Sequence, residues 1–212
     1  MLNISDRDVQ HPVCILHAMD ITGETIDVLL GALGEQLASL RARLEIVVIG
    51  GSALTALGLV KRTTRDVDLL AIAAEGTLHR AEPLPEALLT ARALVARDFG
   101  LDENWLNAGP TDLLKWGLPE GFMARVVTRP YGSALVVHFA GRVDQVHFKL
   151  FAMVDQGGGR HETDLRALRP TKNELVAAAQ WSLTQDPSPG YKMVLGDALR
   201  FLGVDEIGRA HV

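Results

Sequence analysis

Two short segments of the sequence combine residue types that can bind a phosphate and a divalent cation. The first is Gly50-Gly51-Ser52, which follows an apolar run and precedes a stretch rich in alanine and leucine. Glycine lets the backbone approach a phosphate closely, and the start of a helix offers free N–H groups and a partial positive charge. Ser52 adds a hydroxyl donor. The same pattern also fits an ordinary strand-to-helix turn in which the serine caps the helix.

The second segment is Asp66-Val67-Asp68, which is separated from Ser52 by thirteen residues and opens an apolar run. Side chains two apart on a strand point to the same face, so both carboxylates are expected on one side. Two like charges held together are unfavourable without a cation, and Mg²⁺ prefers oxygen ligands together with substrate phosphates. The segment therefore predicts a site for Mg²⁺ or Mn²⁺. The alternative is a solvent-facing strand end with two ordinary surface aspartates.

Together the two segments resemble the signature of the DNA polymerase β-like nucleotidyltransferases. Ile49-Gly50-Gly51-Ser52-Ala53-Leu54 and Arg62-Thr63-Thr64-Arg65-Asp66-Val67-Asp68-Leu69-Leu70 are similar to the minimal-nucleotidyltransferase branch, which includes the AbiEii-type toxins of bacterial toxin–antitoxin systems. The resemblance spans residues 45–168. It implies that Gly50, Gly51 and Ser52 hold a nucleoside triphosphate, while Asp66 and Asp68 bind the metal.

Two later segments extend the resemblance. Asp144 and Lys149 are separated by four residues, like an Asp-x4-Lys element of the AbiEii-type proteins, which implies that Lys149 neutralises phosphate charge. From the residues alone, Asp144 is equally placed to cap a helix, and Lys149 to lie over an apolar helix face. The run from Arg160 to Leu165 resembles the closing basic-Asp-x-x-Asp-Leu element, in which Asp164 matches the second aspartate and His161 replaces the first.

A third carboxylate is missing from the strand expected to supply it, residues 134–139. Many members of the superfamily use that acid as the base for the attacking hydroxyl, and His138 and Asp144 are the two candidates to replace it. His138 is alternatively a core histidine. Arg62 and Arg65 offset phosphate charge or lie in a solvated loop.

The resemblance predicts a metal-dependent enzyme that transfers a nucleoside monophosphate from a triphosphate to an acceptor hydroxyl. The acceptor is tRNA or another RNA, a protein or a small molecule, and the protein is the toxin of a toxin–antitoxin pair in one version of this hypothesis. The missing acid favours the alternative, a non-catalytic nucleotide-binding or partner-binding module, with a cognate antitoxin or toxin as its partner.

Hydrophobic periodicity predicts the elements that must position these residues. Helices are expected over residues 24–44, 53–59, 86–97, 144–154, 162–168, 171–184 and 191–202, and strands over 45–49, 66–73, 123–128 and 134–139. Residues 1–22 are expected to form an arm or a short strand. The fold class is α/β (α+β), with a nucleotidyltransferase-like mixed sheet flanked by helices over residues 1–168 and a helical extension over 169–212 packed on it.

The charge and hydropathy of the sequence limit the kinds of binding partner that we expect. The net charge of −5 argues against nucleic-acid binding by the whole surface, so an RNA partner must contact a local basic patch. No apolar run reaches the roughly 18–20 residues of a membrane span, so no membrane partner is expected. The single cysteine, Cys14, lies in an apolar run, where a buried inert thiol and a cytoplasmic location are expected. Trp105, Trp116 and Trp181 are interpreted as core or interface residues rather than platforms for base stacking.

Overall fold

The computed structural model describes residues 21–204, so Cys14 and the predicted arm up to residue 20 lie outside the described residues. The helices are α1 Gly23–Ser39, α2 Gly50–Ala56, α3 Glu86–Phe99, α4 Phe122–Arg125, α5 Arg142–Gln156, α6 Gly159–Ala167, α7 Lys172–Gln185 and α8 Pro189–Phe201. The strands are β1 Leu44–Ile49, β2 Val67–Ala74, β3 Thr77–Arg80, β4 Leu106–Asn107, β5 Val127–Tyr131 and β6 Leu135–Phe139, and a 3₁₀ helix spans Gly109–Trp116.

The strands form one mixed sheet in the order β3-β2-β1-β6-β5. The central strand β1 pairs antiparallel with β2 and parallel with β6. The short strand β4 pairs in parallel with the first residues of β2, Val67 and Asp68, while β3 pairs with the later part of β2. A mixed sheet flanked by helices and followed by a helical C-terminal region confirms the predicted α/β class.

Alternation along the strands divides the apolar side chains between the two faces of the sheet. On one face, α1 and α3 pack against the sheet through residues such as Leu30, Leu33, Ile46, Val48, Leu69, Leu88 and Phe139. On the other face, α5, α7 and the 3₁₀ helix surround a smaller cluster that includes Val47, Leu70, Phe122, Phe148 and Trp181. The second face carries the candidate site, because the side chains of Asp68 and Leu70 lie on the same side of β2.

The helical C-terminal region shares its core with the preceding residues. Leu175 of α7 and Leu195 of α8 are buried in one cluster with Leu54 of α2, Leu150 of α5 and Leu165 of α6. At the start of α7, Thr171 and Glu174 form the predicted capping box. This packing brings α7 beside the site. Within residues 21–204, no helix is long and apolar enough to cross a membrane.

Several element boundaries differ from the predictions. Helix α1 ends at Ser39 because Leu40 is exposed and Arg41 takes a left-handed conformation, so Leu44 begins β1 rather than ending the helix. Part of the predicted strand at 123–128 is helix α4. Strand β3 was not predicted, since it depends on a tight turn in which both Glu75 and Gly76 have positive φ.

Candidate functional site

The glycine turn lies at the end of β1, directly beside the second aspartate of the acidic pair. Antiparallel pairing places Ile49 opposite Asp68. Gly50 has a φ of +72°, and a Cβ there would overlap the Oδ2 of Asp68, so both conformation and space require glycine. At the next position, a Cβ on Gly51 would lie 2.8 Å from Nη2 of Arg62. The structure therefore brings Gly50, Gly51, Arg62 and Asp68 together.

Ser52 is buried within the first turn of α2 and does not cap the helix. The N-cap is Ile49, without a side-chain hydrogen bond, so the predicted serine cap is wrong and the helix begins at Gly50. The Ser52 hydroxyl donates to the carbonyl of Ile49 at 3.2 Å and accepts the backbone N–H of Asp68 at 3.4 Å. Ser52 thus ties the end of β1 to the start of β2 and fixes the backbone of Asp68.

The negative charge of Asp66 acts on the carboxylate of Asp68. Burial, followed by the neighbouring charge of Asp66, raises the pKa of Asp68 to about 6. The Oδ2 of Asp66 accepts from Nδ2 of Asn107 at 3.4 Å, and the Oδ1 from the Thr64 hydroxyl at 3.4 Å. An elevated carboxylate pKa next to a second carboxylate is the electrostatic setting that a bound cation relieves.

The donor set fits a hard divalent cation that is held only partly by the protein. Asp66 and Asp68 supply carboxylate oxygens, which are the ligands that Mg²⁺ and Mn²⁺ prefer. Among residues 21–204, no group of three or more His, Cys, Asp or Glu side chains is arranged to hold a metal. An ion bound here would therefore complete its coordination with water and with oxygens of a substrate, as Mg²⁺ commonly does.

A buried carboxylate organises two cations next to this pair. Asp164 of α6 accepts two hydrogen bonds from Arg62, at 2.8 and 2.7 Å, and lies 2.9 Å from Nζ of Lys149. The side chains of Lys149 and Asp164 are only 6% and 1% exposed, so Lys149 does not lie over an apolar face with its ammonium in solvent. Burial raises the pKa of Asp164, but the hydrogen bonds from Arg62 and Lys149 outweigh it and hold that pKa below its ordinary value. Lys149 in turn lowers the pKa of Asp68.

An open cavity of about 820 Å³ extends from these residues towards the 3₁₀ helix. Its wall includes Gly50 and Asp68 from the sheet edge, Lys149 from α5, Arg160 and His161 from α6, and Trp116 from the 3₁₀ helix. The cavity therefore has an end that carries both acidic and basic groups, and an aromatic ring elsewhere on its wall.

Of the predicted site residues, Gly50, Asp68 and Lys149 line this cavity, and Gly51, Ser52, Arg62 and Asp66 lie beside those residues. Asp144, Arg65 and His138 do not join the site. Asp144 is fully buried and accepts two hydrogen bonds from Arg125, at 3.1 and 2.6 Å. The N-cap of α5 is Gly141, so the predicted capping role of Asp144 is wrong. Arg65 is exposed and is not part of the cavity wall. His138 bonds to the Thr128 hydroxyl at 2.8 Å and to Glu45 at 3.1 Å, two partners within the sheet.

Sequence reasoning gave no role to several residues that the structure places at the site. His161 lines the cavity, and its Nδ1 is buried without a hydrogen-bond partner. Burial, together with the charges of Lys149 and Arg160, lowers the pKa of His161. Trp116 is 58% exposed on the cavity wall, so of the two predicted roles, core or interface, the structure excludes the core, whereas Trp105 and Trp181 are buried.

No protein-family model matches the chain, and no curated protein or solved structure matches it. The class of site is therefore defined by its own geometry: a carboxylate pair beside a glycine turn, with buried and exposed cations on the wall of one cavity. Such a combination suits a ligand that is itself anionic and travels with a divalent cation.

Proposed function

We propose that this protein is a metal-dependent nucleotidyltransferase. It moves a nucleoside monophosphate from a nucleoside triphosphate to an acceptor hydroxyl. One observation carries the proposal: Asp68, with Asp66 two residues before it, meets the Gly50-Gly51 turn at the wall of a cavity that Lys149 also lines. The sequence resemblance to the minimal nucleotidyltransferases supports the same function independently of the cavity.

Each part of the site has a role in binding the triphosphate. Asp66 and Asp68 hold Mg²⁺ or Mn²⁺, and such an ion, when bound, stabilises charge on the entering and leaving oxygens. The glycines at positions 50 and 51 let the carboxylate of Asp68 and the guanidinium of Arg62 pack directly against the turn, so the proposed metal ligand and a cation lie next to its backbone. Lys149 offsets phosphate charge from a position fixed by Asp164.

In the transfer step, the acceptor oxygen attacks the α-phosphorus. A new phosphorus–oxygen bond forms, the bond from the α-phosphorus to the pyrophosphate oxygen breaks, and the acceptor hydroxyl loses its proton. His161 accepts that proton in this proposal, because it lines the cavity and its lowered pKa keeps the imidazole neutral near pH 7. His138 and Asp144 are bound to Glu45 and Arg125 instead.

An RNA end is an acceptor class that the cavity supports. Although the chain has a net charge of −5, four basic residues gather on the cavity wall: Arg80, Lys115, Lys149 and Arg160. Arg80 is paired with Asp112 and Lys149 with Asp164, so Lys115 and Arg160 supply the local basic patch that a nucleic acid would need. The likeness to AbiEii-type toxins extends the proposal to a cytoplasmic toxin held by an antitoxin, which co-purification with the product of an adjacent reading frame would test.

A second function, nucleotide binding without transfer, is favoured by a different observation. In the described part of the chain, no third carboxylate joins Asp66 and Asp68. If His161 accepts no proton, the site binds a metal–nucleotide complex and leaves it intact.

The test is titration of the protein with each ribonucleoside triphosphate, with and without Mg²⁺, next to an Asp66→Asn/Asp68→Asn variant. Asp197→Asn is a matched control, since Asp197 is an exposed aspartate on α8 and does not line the cavity. Metal-dependent binding that the double variant loses and the control keeps is expected. A wild-type protein that binds no triphosphate would overturn the proposal.

Labelled triphosphate with total RNA, the protein itself and small hydroxyl compounds then separates the two functions. Label that moves to an acceptor, with release of pyrophosphate, is the outcome expected of the transferase. Tight binding with no label transferred would favour the second function.

A further inference from the structure

Trp116 is exposed in a way that the other described tryptophans are not. It is 58% exposed, whereas Trp105 is fully buried and Trp181 is 9% exposed. The indole lies on the wall of the cavity that also contains Asp68 and Lys149. A tryptophan contributes most when its large apolar area is covered, so a solvated ring on a cavity wall is a ready surface for a ligand.

The backbone that carries this ring is held on both sides. The carbonyl of Gly117 accepts hydrogen bonds from Nε1 of Trp181 at 3.0 Å and Nε2 of Gln185 at 2.9 Å. Leu114 and Leu118 pack against the apolar cluster on that face of the sheet. The exposed ring therefore extends from a fixed support, which lowers the ordering cost of binding a ligand against it.

The surroundings of Trp116 also suit a nucleotide electrostatically. The Nζ of Lys115 lies over the indole, 5.1 Å from the ring centroid, and both side chains line the cavity. A base that stacks on the face of the ring opposite Lys115 would leave this cation in place, while its phosphates reach towards Lys149 and Arg160 on the same wall. Aromatic surface and anion-binding groups are thus available to one molecule at once.

We propose that Trp116 is the platform on which the base of the bound nucleoside triphosphate stacks. The inference rests on the proposed function, since it assumes that the phosphates lie at the Asp68 and Lys149 end of the cavity. Stacking uses the π-face that every base has, so it predicts little discrimination among the four bases. It also predicts that the base improves affinity by about 10- to 100-fold over the phosphates alone.

The experiment compares ATP with inorganic tripolyphosphate, both with Mg²⁺, in binding to wild type, Trp116→Ala and Trp116→Phe. Tripolyphosphate has the phosphates without the base, so it tests the metal and phosphate site separately. We expect Trp116→Ala to weaken ATP binding by about 10- to 100-fold and to leave tripolyphosphate binding unchanged. Trp116→Phe should keep most of the ATP affinity. ATP should also quench tryptophan fluorescence in wild type far more than in Trp116→Phe, since Trp105 and Trp181 are buried.

The other outcomes overturn the inference in distinguishable ways. If tripolyphosphate binds but ATP binds no more tightly and Trp116→Ala changes nothing, the platform fails and the proposed function stands. If Trp116→Ala weakens both ligands equally, the ring supports the cavity rather than the base. A single-stranded RNA oligonucleotide is titrated as a third ligand, and if Trp116→Ala weakens its binding but not that of ATP, the ring contacts the acceptor instead. If neither ATP nor tripolyphosphate binds wild type, both proposals fall together.

Discussion

The Cα of Gly50 lies against the carboxylate of Asp68, so closely that a Cβ at position 50 would overlap Oδ2 and lie 3.1 Å from Cγ. The two residues are distant in sequence, but the pairing of β1 with β2 makes them neighbours. The glycine turn and the acid that would hold a metal are therefore one packed unit.

Replacement of Gly50 by alanine is expected to disrupt this unit. The left-handed conformation costs a side chain about 1–2 kcal/mol, and the overlap with Asp68 adds about 1–3 kcal/mol. We expect Gly50→Ala to lower the free energy of unfolding by about 2–5 kcal/mol, measured by urea denaturation, and to abolish Mg²⁺-dependent ATP binding. Gly58→Ala is the matched control, since Gly58 has a φ of +66° but open space around it. Equal losses in both variants would show that the contact with Asp68 is unimportant.

The raised pKa of Asp68 predicts that this carboxylate destabilises the metal-free protein at neutral pH. A folded pKa of about 6 against an ordinary 3.8 means that the native state binds the extra proton more tightly than the unfolded state. Stability attributable to Asp68 therefore falls as pH rises from about 4 to above 6, by up to about 3 kcal/mol. Asp68→Asn should raise the free energy of unfolding at pH 8 without metal, and have little effect below pH 4.

With metal and nucleotide present, we expect the opposite order of stability for wild type and Asp68→Asn. Mg²⁺ with ATP should raise the melting temperature of wild type but not of Asp68→Asn, because the variant lacks one of the two proposed ligands. Asp197→Asn removes an exposed aspartate on α8. It should not stabilise the metal-free protein at pH 8, and Mg²⁺ with ATP should raise its melting temperature as in wild type. A metal-free Asp68→Asn protein less stable than wild type at pH 8 would contradict the electrostatic account.

Asp164 is expected to stabilise the protein more than any exposed acid. Asp164→Asn would leave the buried ammonium of Lys149 and the guanidinium of Arg62 without their partner, at a cost of about 3–5 kcal/mol.

The stabilisation by Asp164 should also depend on pH. Because the folded pKa of Asp164 is lowered, this stabilisation is complete when the pH is above the ordinary pKa of an aspartate and is lost as the pH falls through the folded pKa. The difference between variant and wild type should thus be full at pH 7 and shrink in strong acid. Asp197→Asn, which breaks an exposed pair with Arg200, should cost less than about 1 kcal/mol.

The long, strongly periodic elements could be predicted from sequence because one face of each meets the core. The spacing of Leu29, Leu33 and Leu37 identifies α1, and all three are fully buried. Strand β3, by contrast, has four residues and β4 only two. Their formation depends on pairing with β2, a long-range contact that has no periodic signal in so short a run.

The site residues likewise include some that could be predicted from local sequence and some that could not. Asp66, Asp68 and the glycine turn follow from local rules of alternation and turn chemistry. Asp144 shows where local reasoning failed: it precedes Lys149 by five residues on α5, and such residues lie about 140° apart around a helix. The two side chains therefore face different partners, Arg125 and Asp164. Those partners come from elsewhere in the chain, and no spacing could reveal them.

The pair of Asp144 with Arg125 predicts a structural role that can be separated from the site. Asp144→Asn should lower the free energy of unfolding by about 2–4 kcal/mol, less than Asp164→Asn, because the guanidinium left behind is about one-third exposed and can be hydrated. Mg²⁺-dependent ATP binding at 10 °C, where the variant remains folded, should match wild type. Loss of ATP binding by a fully folded Asp144→Asn protein would return this residue to the list of site residues.

His161 is the residue whose replacement should separate binding from transfer. His161→Gln should lower the rate of label transfer by about 10²- to 10⁴-fold and change ATP affinity only a few-fold, because the imidazole is proposed to accept a proton rather than to bind the metal. His79→Gln, on the exposed strand β3, is the matched control.

Exogenous imidazole should restore part of the transfer rate in His161→Gln, an effect that a purely structural histidine would not show. Because the pKa of His161 lies below 6.5 and that of Asp68 is about 6, kcat/KM in wild type should still be high at pH 6.5 and fall below it as both groups gain protons. Transfer that persists at the wild-type rate in His161→Gln would remove this residue from the mechanism.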